Sequence, residues 1–434
     1  EKAIEGNSTG TITVGDKIEE GKIEEPQKVP TIKGGKYGIY QNNTNGKLNF
    51  YDGTIIGSNS YQAIYGKVTD TETGYDVITK EDTQSKTLTC TLEKLPVAQI
   101  GENKYYSLYD AVQSIETEEE TTITLIRDFN ITATSQTTQI NEGKNIIIDL
   151  NGNNITSVLE NTIINKGNLK IVDSNTQKQG TITIDLAGNN SYISGIVNES
   201  TGKIEITNNI SIIGKGLHSN SIKNEGEITA TDTKLNNNGT YIVGGSYGIR
   251  LMLNDGVLNL NNTTVSNTGG SSANVIYNDT GTININNSIV QERYSIIETY
   301  EGEVNITGEV TRKGIAQLVS LEQKSSTSEG TKINIENATI IDENAASTMI
   351  SGKNGEIKVK NSNIQAKASI IGVNSNVTIE NSNLTSSKYA VISQYKGNTE
   401  IKDSDIIYNG TSSDSAIQFK STGSLTITGK SNIT

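Results

Sequence analysis

Few side chains in this sequence suit catalysis or transition-metal binding. The 434 residues contain one histidine, His218, and one cysteine, Cys90. A structural zinc site takes four Cys or His ligands, so this pair cannot form one. A histidine acting as a general base needs an orienting partner, and the segment GKGLHSNS identifies none for His218. Cys90 lies in the alternating run TLTCTLEKL, which favours a buried structural thiol over a reactive one such as a thioester former.

Two short segments carry oxygen-rich side chains that could bind calcium. They are KDSDI, with Asp403 and Asp405, and DLNGNN, with Asp149, Asn151 and Asn153. Neither has the spacing of an EF-hand loop or of the glycine-rich calcium repeats. We therefore expect turn residues here and no cofactor, with calcium as the alternative.

Tyrosine is the main aromatic residue, with 18 copies against three Phe and no Trp. Tyrosine rings pack well on sugar rings, but they also cover apolar cores while the hydroxyl stays in water. The candidate glycan contacts, which cluster early in the chain, are Tyr37, Tyr40, Tyr51, Tyr61 and Tyr65. Covering of an apolar core is the competing interpretation.

A recurring phrase predicts the elements that hold these residues. The segments GEIKVKNSNIQ (355–365) and SNVTIENSNLT (375–385) share two alternating apolar residues, an Asn two positions on, and a further apolar residue three positions later. Copies recur from residue 202 to residue 423 about every 20 to 30 residues, which is the period of a repeat protein.

The recurring Asn, Asp or Gly predicts a sharp bend between two short strands, because these residues tolerate a left-handed backbone. Gly308 and Gly429 occupy the same place in their copies. The other members of this predicted turn ladder are Asn208, Asp232, Asn262, Asn287, Asn337, Asn361, Asn381 and Asp403.

Alternation with a period of two indicates strands with one buried face, and a third apolar run completes each copy. Three short strands per copy predict an all-β right-handed parallel β-helix, with coils about 4.8 Å apart. The spacing is too irregular for a left-handed β-helix, helices are too few for a leucine-rich repeat, and a β-sandwich would not produce the turn ladder. One short helix is predicted near 107–116, capped by Ser107, where it would close the open end of the coils.

An internal sequence repeat predicts the domain organisation. Residues 34–55 repeat the pattern of residues 244–265. We therefore expect residues 1–96 to be the terminal coils of an upstream β-helix module. Residues 97–434 would form a second module, which begins with the helix and is truncated at its C-terminus.

Most of the chain resembles a known module. The segments GENKYYSLYDAVQSI, TTITLIRDFNIT, GKNIIIDLNGNNIT and GNLKIVDS are similar to a repeat module of large bacterial surface proteins, mostly Gram-positive, and NFYDGTIIGSNSYQAIYGKVTDTETGYDVIT is similar to its closing segment. These modules belong broadly with the pectin-lyase-like right-handed β-helices and are commonly described as adhesin-like. The resemblance implies a cell-surface adhesin and assigns no site residue.

Many right-handed β-helices act on polysaccharides, so enzymatic activity needs a separate test. The polygalacturonase patterns NTDG, GHG and RIK and the pectate-lyase patterns WIDH and RxPxxR are all absent. We therefore expect no enzyme of these types. A non-standard site would need acidic residues beside Arg or Lys on one lateral face, and the chain has four arginines: Arg127, Arg250, Arg293 and Arg312.

Charge and hydropathy argue against two functional classes, nucleic-acid-binding proteins and membrane-spanning proteins. A net charge of −13 disfavours nucleic acid as a partner, and no stretch approaches the roughly 20 apolar residues of a membrane span. We expect an extracellular, non-enzymatic stalk or adhesin segment on a bacterial cell surface. Its partners would be glycans or host surface proteins and neighbouring modules of the same polypeptide. The alternatives are a polysaccharide lyase or hydrolase, a carbohydrate-binding β-helix, and a phage tail-spike-like fibre.

Overall fold

The computed structural model describes most of the chain in segments. They are residues 1–16, 29–71, 75–131, 137–186, 193–208, 210–216, 220–237, 250–267, 275–291, 296–315, 317–323, 330–343, 347–411, 413–420 and 422–434. Contacts divide the chain into two compact units. Unit 1 is Glu1–Val97 with Lys104–Tyr106, and unit 2 is Ala98–Asn103 with Ser107–Thr434. That residues 1–96 end an upstream module stays a prediction.

Unit 1 is built from three small sheets around one apolar core. Its strands are β1 (Lys2–Gly6), β2 (Thr11–Val14), β3 (Thr31–Lys33), β4 (Tyr37–Gln41), β5 (Lys47–Phe50), β6 (Thr54–Ser58), β7 (Ile64–Tyr65), β8 (Asp70–Thr71), β9 (Tyr75–Asp82) and β10 (Thr87–Lys94). The sheets β1-β4-β7 and β2-β5-β8 are parallel, whereas β3-β6-β10-β9 starts parallel and continues antiparallel. The fully buried Ile39, Leu48, Phe50 and Ile55 lie at the centre of the core.

Unit 2 stacks three parallel ladders of strands, here called sheets A, B and C in the order in which each coil visits them. Along the chain, unit 2 starts with β11 (Ala98–Ile100), the strand β12 (Asn103–Tyr105) comes next, and the helix α1 (Leu108–Gln113) follows. Sheet A contains β13 (Thr121–Leu125), β16 (Asn145–Asp149), β19 (Asn168–Val172), β22 (Lys203–Ile206), β25 (Glu227–Thr231), β28 (Val257–Asn261), β31 (Thr282–Asn286), β42 (Thr399–Lys402) and β45 (Leu425–Thr428).

Sheets B and C complete each coil. Sheet B contains β14 (Phe129–Ile131), β17 (Ile155–Ser157), β20 (Thr181–Leu186), β23 (Ser211–Gly216), β26 (Lys234–Asn237), β29 (Thr264–Asn267), β32 (Ile289–Gln291), β38 (Asn363–Ala366), β40 (Asn383–Ser386), β43 (Asp405–Tyr408) and β46 (Asn432–Ile433). Sheet C contains β15 (Thr138–Ile140), β18 (Ile163–Asn165), β21 (Ser194–Asn198), β24 (Asn220–Asn224), β27 (Arg250–Asn254), β30 (Ile276–Asn278), β33 (Ile297–Thr299), β35 (Val319–Leu321), β41 (Ile392–Gln394) and β44 (Ile417–Phe419).

Four long strands turn the corner between two sheets. From sheet A into sheet B run β34 (Glu303–Arg312) and β36 (Thr331–Asp342), and from sheet C into sheet A run β37 (Ile350–Lys360) and β39 (Ile371–Glu380). Each strand pairs in parallel with its equivalent in the next coil, usually three strands later. This topology confirms the predicted fold class, an all-β parallel β-helix.

The core of unit 2 is a stack of aliphatic side chains in register. One column on sheet A is continuous through the paired strands: Ile123, Ile148, Ile171, Ile206, Ala230, Leu260, Ile285, Ile306, Ile335, Val359, Ile379, Ile401 and Ile427. All but the last are buried. The period-two alternation of the sequence therefore sends one set of residues into a narrow interior, so a chain that is only 33% hydrophobic can fill it.

The helix α1 closes the start of this core, as predicted. Ser107 is its N-cap, with its Oγ accepting from the Asp110 backbone N–H at 2.9 Å and donating to Asp110 Oδ2 at 2.7 Å. Leu108, Ala111 and Val112 are buried, and the helix packs against β11 and β15. At its C-terminal end, the Asp110, Ala111 and Val112 carbonyls accept from the Ser114 N–H, the Ser114 Oγ and the Ile115 N–H at 3.1, 2.8 and 3.2 Å. After the helix, Lys144 Nζ donates to three further backbone carbonyls at 2.8 to 3.1 Å.

Candidate functional site

Four of the five predicted glycan-contact tyrosines come together on unit 1. Tyr40 and Tyr65 are register partners on the parallel strands β4 and β7, so their rings stack with centroids 4.5 Å apart and planes at 15°. Tyr37 packs at steeper angles against Tyr40, Tyr61 and Tyr65, with centroids 5.0, 5.4 and 5.7 Å away. We call Tyr37, Tyr40, Tyr61 and Tyr65 the tyrosine cluster.

The tyrosine cluster is open to solvent and carries positive charge beside its rings. Tyr61 and Tyr65 keep 43% and 39% of their surface exposed. Lys2 Nζ lies 3.8 Å from the Tyr40 ring centroid, and Lys36 Nζ lies 5.1 Å from that of Tyr61. Lys2 also donates to Glu5 at 2.5 Å, and this hydrogen bond lowers the pKa of the exposed Glu5 carboxyl. The result is an exposed aromatic surface with ammonium donors at its edge.

Tyr51 lies outside the cluster. Its hydroxyl donates to Asp70 Oδ2 at 2.6 Å, a contact that joins the end of β5 to β8. The sequence does not distinguish Tyr51 from the four tyrosines of the cluster, because membership of the cluster depends on which strands become register partners.

The turn ladder lies at the bend between sheets A and B of unit 2. All eight Asn and Asp members have positive φ, between 48° and 65°, and Gly308 and Gly429 have φ of 68° and 67°. Their side chains join neighbouring coils: Asn381 Nδ2 donates to Asn361 Oδ1 at 2.8 Å, and the backbone N–H of Lys430 donates to Asp403 Oδ1 at 2.9 Å. These residues shape the backbone and link coils.

A second amide ladder, inside sheet C, was missed by the sequence analysis. It consists of Asn165, Asn198, Asn224, Asn254 and Asn278, all fully buried. Each amide nitrogen donates to the next amide oxygen at 2.8 Å, and the series ends where Asn278 Nδ2 meets Thr299 Oγ1 at 3.3 Å. The signal was present, since the third apolar run of successive copies ends in Asn, as in GIVN, SIKN and VIYN. We call this set the buried amide ladder.

The predicted calcium candidates make protein hydrogen bonds. Asp149 Oδ1 accepts from the backbone N–H groups of Asn151 and Ser174, both at 2.9 Å, and its Oδ2 accepts from Ser174 Oγ at 2.7 Å. Asp173, which the sequence analysis did not select, accepts in the same way from the Gly152 and Gly180 N–H groups at 2.7 and 2.5 Å. Within the described residues, no group of three or more His, Cys, Asp or Glu side chains converges on one point.

Of the remaining reactive candidates, Cys90 and Arg312 are both buried. Cys90 is buried against Thr79, with 3.2 Å between Sγ and Oγ1, and burial raises the pKa of its thiol. His218, Arg293 and the side chain of Arg250 lie outside the described residues. Arg312 is fully buried and pairs with the equally buried Asp342 at 3.0 Å.

One lateral groove does combine carboxylates with lysines. It has a volume of about 420 Å³ on the outer face of sheet A and is lined in part by Glu120, Lys170, Lys203, Glu205 and Glu227. Lys170 pairs with Glu205 at 3.0 Å and Lys203 with Glu227 at 3.7 Å. We call it the sheet A groove.

The helices of the described chain include none with the length and apolar character that a membrane crossing needs. Comparison of the chain with protein-family models, with curated proteins and with solved structures gives no match in any of the three.

Proposed function

We propose that this chain is a non-enzymatic structural and adhesive module of an extracellular bacterial surface protein, and that its tyrosine cluster contacts glycans. The observation that carries the proposal is the tyrosine cluster: exposed rings held by paired strands, with lysine ammonium groups beside them. The apolar face of a sugar ring packs on an aromatic ring, while its hydroxyls bond to nearby polar groups. Rings fixed before binding lose little entropy when a ligand arrives.

The parallel β-helix supports the structural part of the proposal. Its coils are joined by backbone pairing, by the turn ladder and by the buried amide ladder, so each coil is fixed by its neighbours. Such a scaffold holds a surface patch in place without a large globular core. The bacterial origin and the extracellular location come from the sequence resemblance and stay proposals.

Glycan binding by the full chain tests this function directly. Pectins, mucin glycans and glycosaminoglycans would be immobilised, and binding measured by biolayer interferometry for the unaltered chain, Tyr61→Ala and Tyr65→Ala. We expect each substitution to weaken binding about tenfold, because loss of one stacking contact costs about 1.4 kcal/mol.

Tyr106→Ala is the matched control. Tyr106 is 46% exposed, belongs to unit 1 and has Lys94 Nζ 5.7 Å from its ring, yet it lies outside the tyrosine cluster. Equal losses in Tyr106→Ala and Tyr65→Ala, or no binding to any glycan, would refute the proposed role of the cluster.

A second candidate function, polysaccharide cleavage, rests on the sheet A groove. Paired carboxylates can act as acid and base on a glycosidic bond, and this groove places Glu205 and Glu227 beside lysines. The test follows new reducing ends and unsaturated products on the same polysaccharides, with and without calcium. Turnover that disappears in Glu205→Gln or Glu227→Gln would establish an enzyme and overturn the non-enzymatic proposal.

A further inference from the structure

The outer face of sheet C forms a trough near the C-terminal end of unit 2. The second residue of each strand here faces away from the core, and the register aligns these residues from coil to coil. In β35, β37, β39 and β41 they are small: Ser320, Ser351, Gly372 and Ser393. Small side chains in four successive coils leave a channel that larger ones would fill.

Two tyrosines stand beside this trough. Tyr389 and Tyr395 flank β41 and keep 40% and 48% of their surface exposed. Their backbones are fixed: Ser386 Oγ donates to the Tyr389 carbonyl, and the Tyr395 N–H donates to the Val373 carbonyl at 3.0 Å. The backbone positions from which the two rings extend are therefore fixed before any ligand arrives.

Polar groups complete the lining. Gln317 Nε2 donates to Ser351 Oγ at 2.7 Å, and Gln418 Nε2 donates to Asp414 Oδ1 at 2.9 Å. Lys388 Nζ lies 5.0 Å from the ring centroid of Tyr389, and Lys420 Nζ lies 5.4 Å from that of Tyr395. Amides and a carboxylate thus line the same groove as the two exposed rings, and one ammonium group lies near each ring.

The dimensions suit a chain of sugars better than a single one. The groove has a volume of about 430 Å³ and is lined by residues from the coils of β35, β37, β39, β41 and β44. Four steps of about 4.8 Å between these strands give a length of roughly 19 Å along the coil axis. Volumes of several hundred Å³ with a few convergent polar groups are typical of ligand sites. We call this channel the sheet C groove.

We infer that the sheet C groove is a saccharide-binding site that takes an extended oligosaccharide along the coil axis. Sugar rings pack on Tyr389 and Tyr395, and their hydroxyls bond to Gln317, Asp414 and Gln418. The small residues of the floor let the oligosaccharide lie close to the sheet. This site belongs to unit 2 alone and does not require the tyrosine cluster of unit 1 to bind sugar.

The experiment uses the full chain and defined sugars. Cellohexaose, chitohexaose and hexagalacturonic acid, each with its disaccharide, would be titrated by calorimetry. We expect at least one hexasaccharide to bind at least tenfold more tightly than its disaccharide.

Tyr389→Ala and Tyr395→Ala should each weaken that binding about tenfold, and Tyr395→Phe should retain it, since the ring is kept. Ser351→Trp, which fills the floor, should abolish it.

The Tyr61→Ala/Tyr65→Ala double variant separates this site from the tyrosine cluster, and circular dichroism verifies that each variant folds. Hexasaccharide binding that is lost only in the unit 1 double variant overturns the sheet C site and leaves the proposed function intact. Binding that is lost only in the Tyr389 and Tyr395 variants supports the sheet C site, and the role of the cluster is then decided by the pectin, mucin and glycosaminoglycan panel alone. Absence of binding to all three hexasaccharides, or unchanged binding in Ser351→Trp, overturns the inference.

Discussion

Asparagine performs two different tasks in unit 2, and its place in the coil decides which. At the bend between sheets A and B, Asn381 has a φ of 48° and an exposed amide bonded to Asn361. At the end of a sheet C strand, Asn224 is fully buried and bonded on both sides to other amides. The first position uses the tolerance of asparagine for a left-handed backbone. The second uses a side chain that both donates and accepts.

The buried amide ladder should respond strongly to a single deletion. Asn224→Ala removes a donor to Asn254 Oδ1 and to the Val257 carbonyl, and removes the acceptor of Asn198 Nδ2. We expect the free energy of unfolding to fall by about 3 kcal/mol, because buried polar groups are left without partners. Urea denaturation followed by circular dichroism measures the change.

Asn259→Ala is the control for this substitution. Asn259 Nδ2 donates to Thr229 Oγ1 at 3.1 Å and to Glu227 Oε1 at 3.3 Å, and its Oδ1 accepts from Asn284 Nδ2 at 2.7 Å. The side chain is only half-buried, so water can replace these partners. Its loss should cost about 1 kcal/mol or less. Equal losses for the two variants would contradict the importance of burial in the ladder.

The bend between sheets A and B recurs along the described part of unit 2. A bend that must leave one sheet and enter the next within one or two residues needs positive φ, so most coils place Asn, Asp or Gly there, and one uses the pair Asn151 and Gly152. The bends at 126–128 and 173–180 have no residue of positive φ. On the strands before and after the bend, every second side chain then points into the core. The bend therefore sets the register of both strands.

Substitutions at one bend separate backbone strain from side-chain bonding. Asn381→Ala should lower the free energy of unfolding by about 2 kcal/mol, since alanine is strained at this φ and the amide bond to Asn361 is lost. Asn381→Gly loses only the amide bond, so it should be about 1 kcal/mol more stable than Asn381→Ala. Guanidinium denaturation measures both free energies of unfolding, provided that the dependence on denaturant concentration has the same slope in both variants. Equal midpoints for Asn381→Ala and Asn381→Gly would rule out backbone strain as the cause of the destabilisation.

Another contact between elements concerns Arg312, at the end of β34, and Asp342, at the end of β36. Their Cα atoms are register partners on sheet B, and both side chains are fully buried. From the sequence alone, Arg312 would be expected on the surface or in a catalytic site. Its burial follows from its phase in the alternating strand, where Val310 and Arg312 face the same interior.

The parallel β-helix of unit 2 behaves as a series of equivalent coils in which each contacts mainly its neighbours. Ile357 and Val377 are register partners, and so are Ile350 and Ile371 on sheet C. One complete coil therefore separates residue 357 from residue 377. If that coil is removed, the coils on either side of it should stack directly, because they present the same pattern of apolar residues and strands.

We expect deletion of residues 357–376 to leave a folded protein with the same circular dichroism per residue and one cooperative transition for unit 2. Val377 takes the place of Ile357, and all three sheets keep their phase. Deletion of residues 357–366 removes the strands of sheets A and B but keeps the strand of sheet C, so it should abolish folding of the following coils. The solenoid description fails if the two deletions are tolerated equally well.

The repeating unit was predictable from the sequence: strands with one buried face, the bends with positive φ, the capped helix and the stacked coils. These features depend on local rules of alternation, turn chemistry and capping, which act within about ten residues. The sequence did not determine which side chains meet between coils. The stacked Tyr40 and Tyr65, the buried amide ladder, the Arg312–Asp342 pair and the small floor of the sheet C groove join residues some 20 to 30 positions apart. Loops of varying length separate these residues, so only the register of the assembled sheets, a property of the tertiary structure, aligned them.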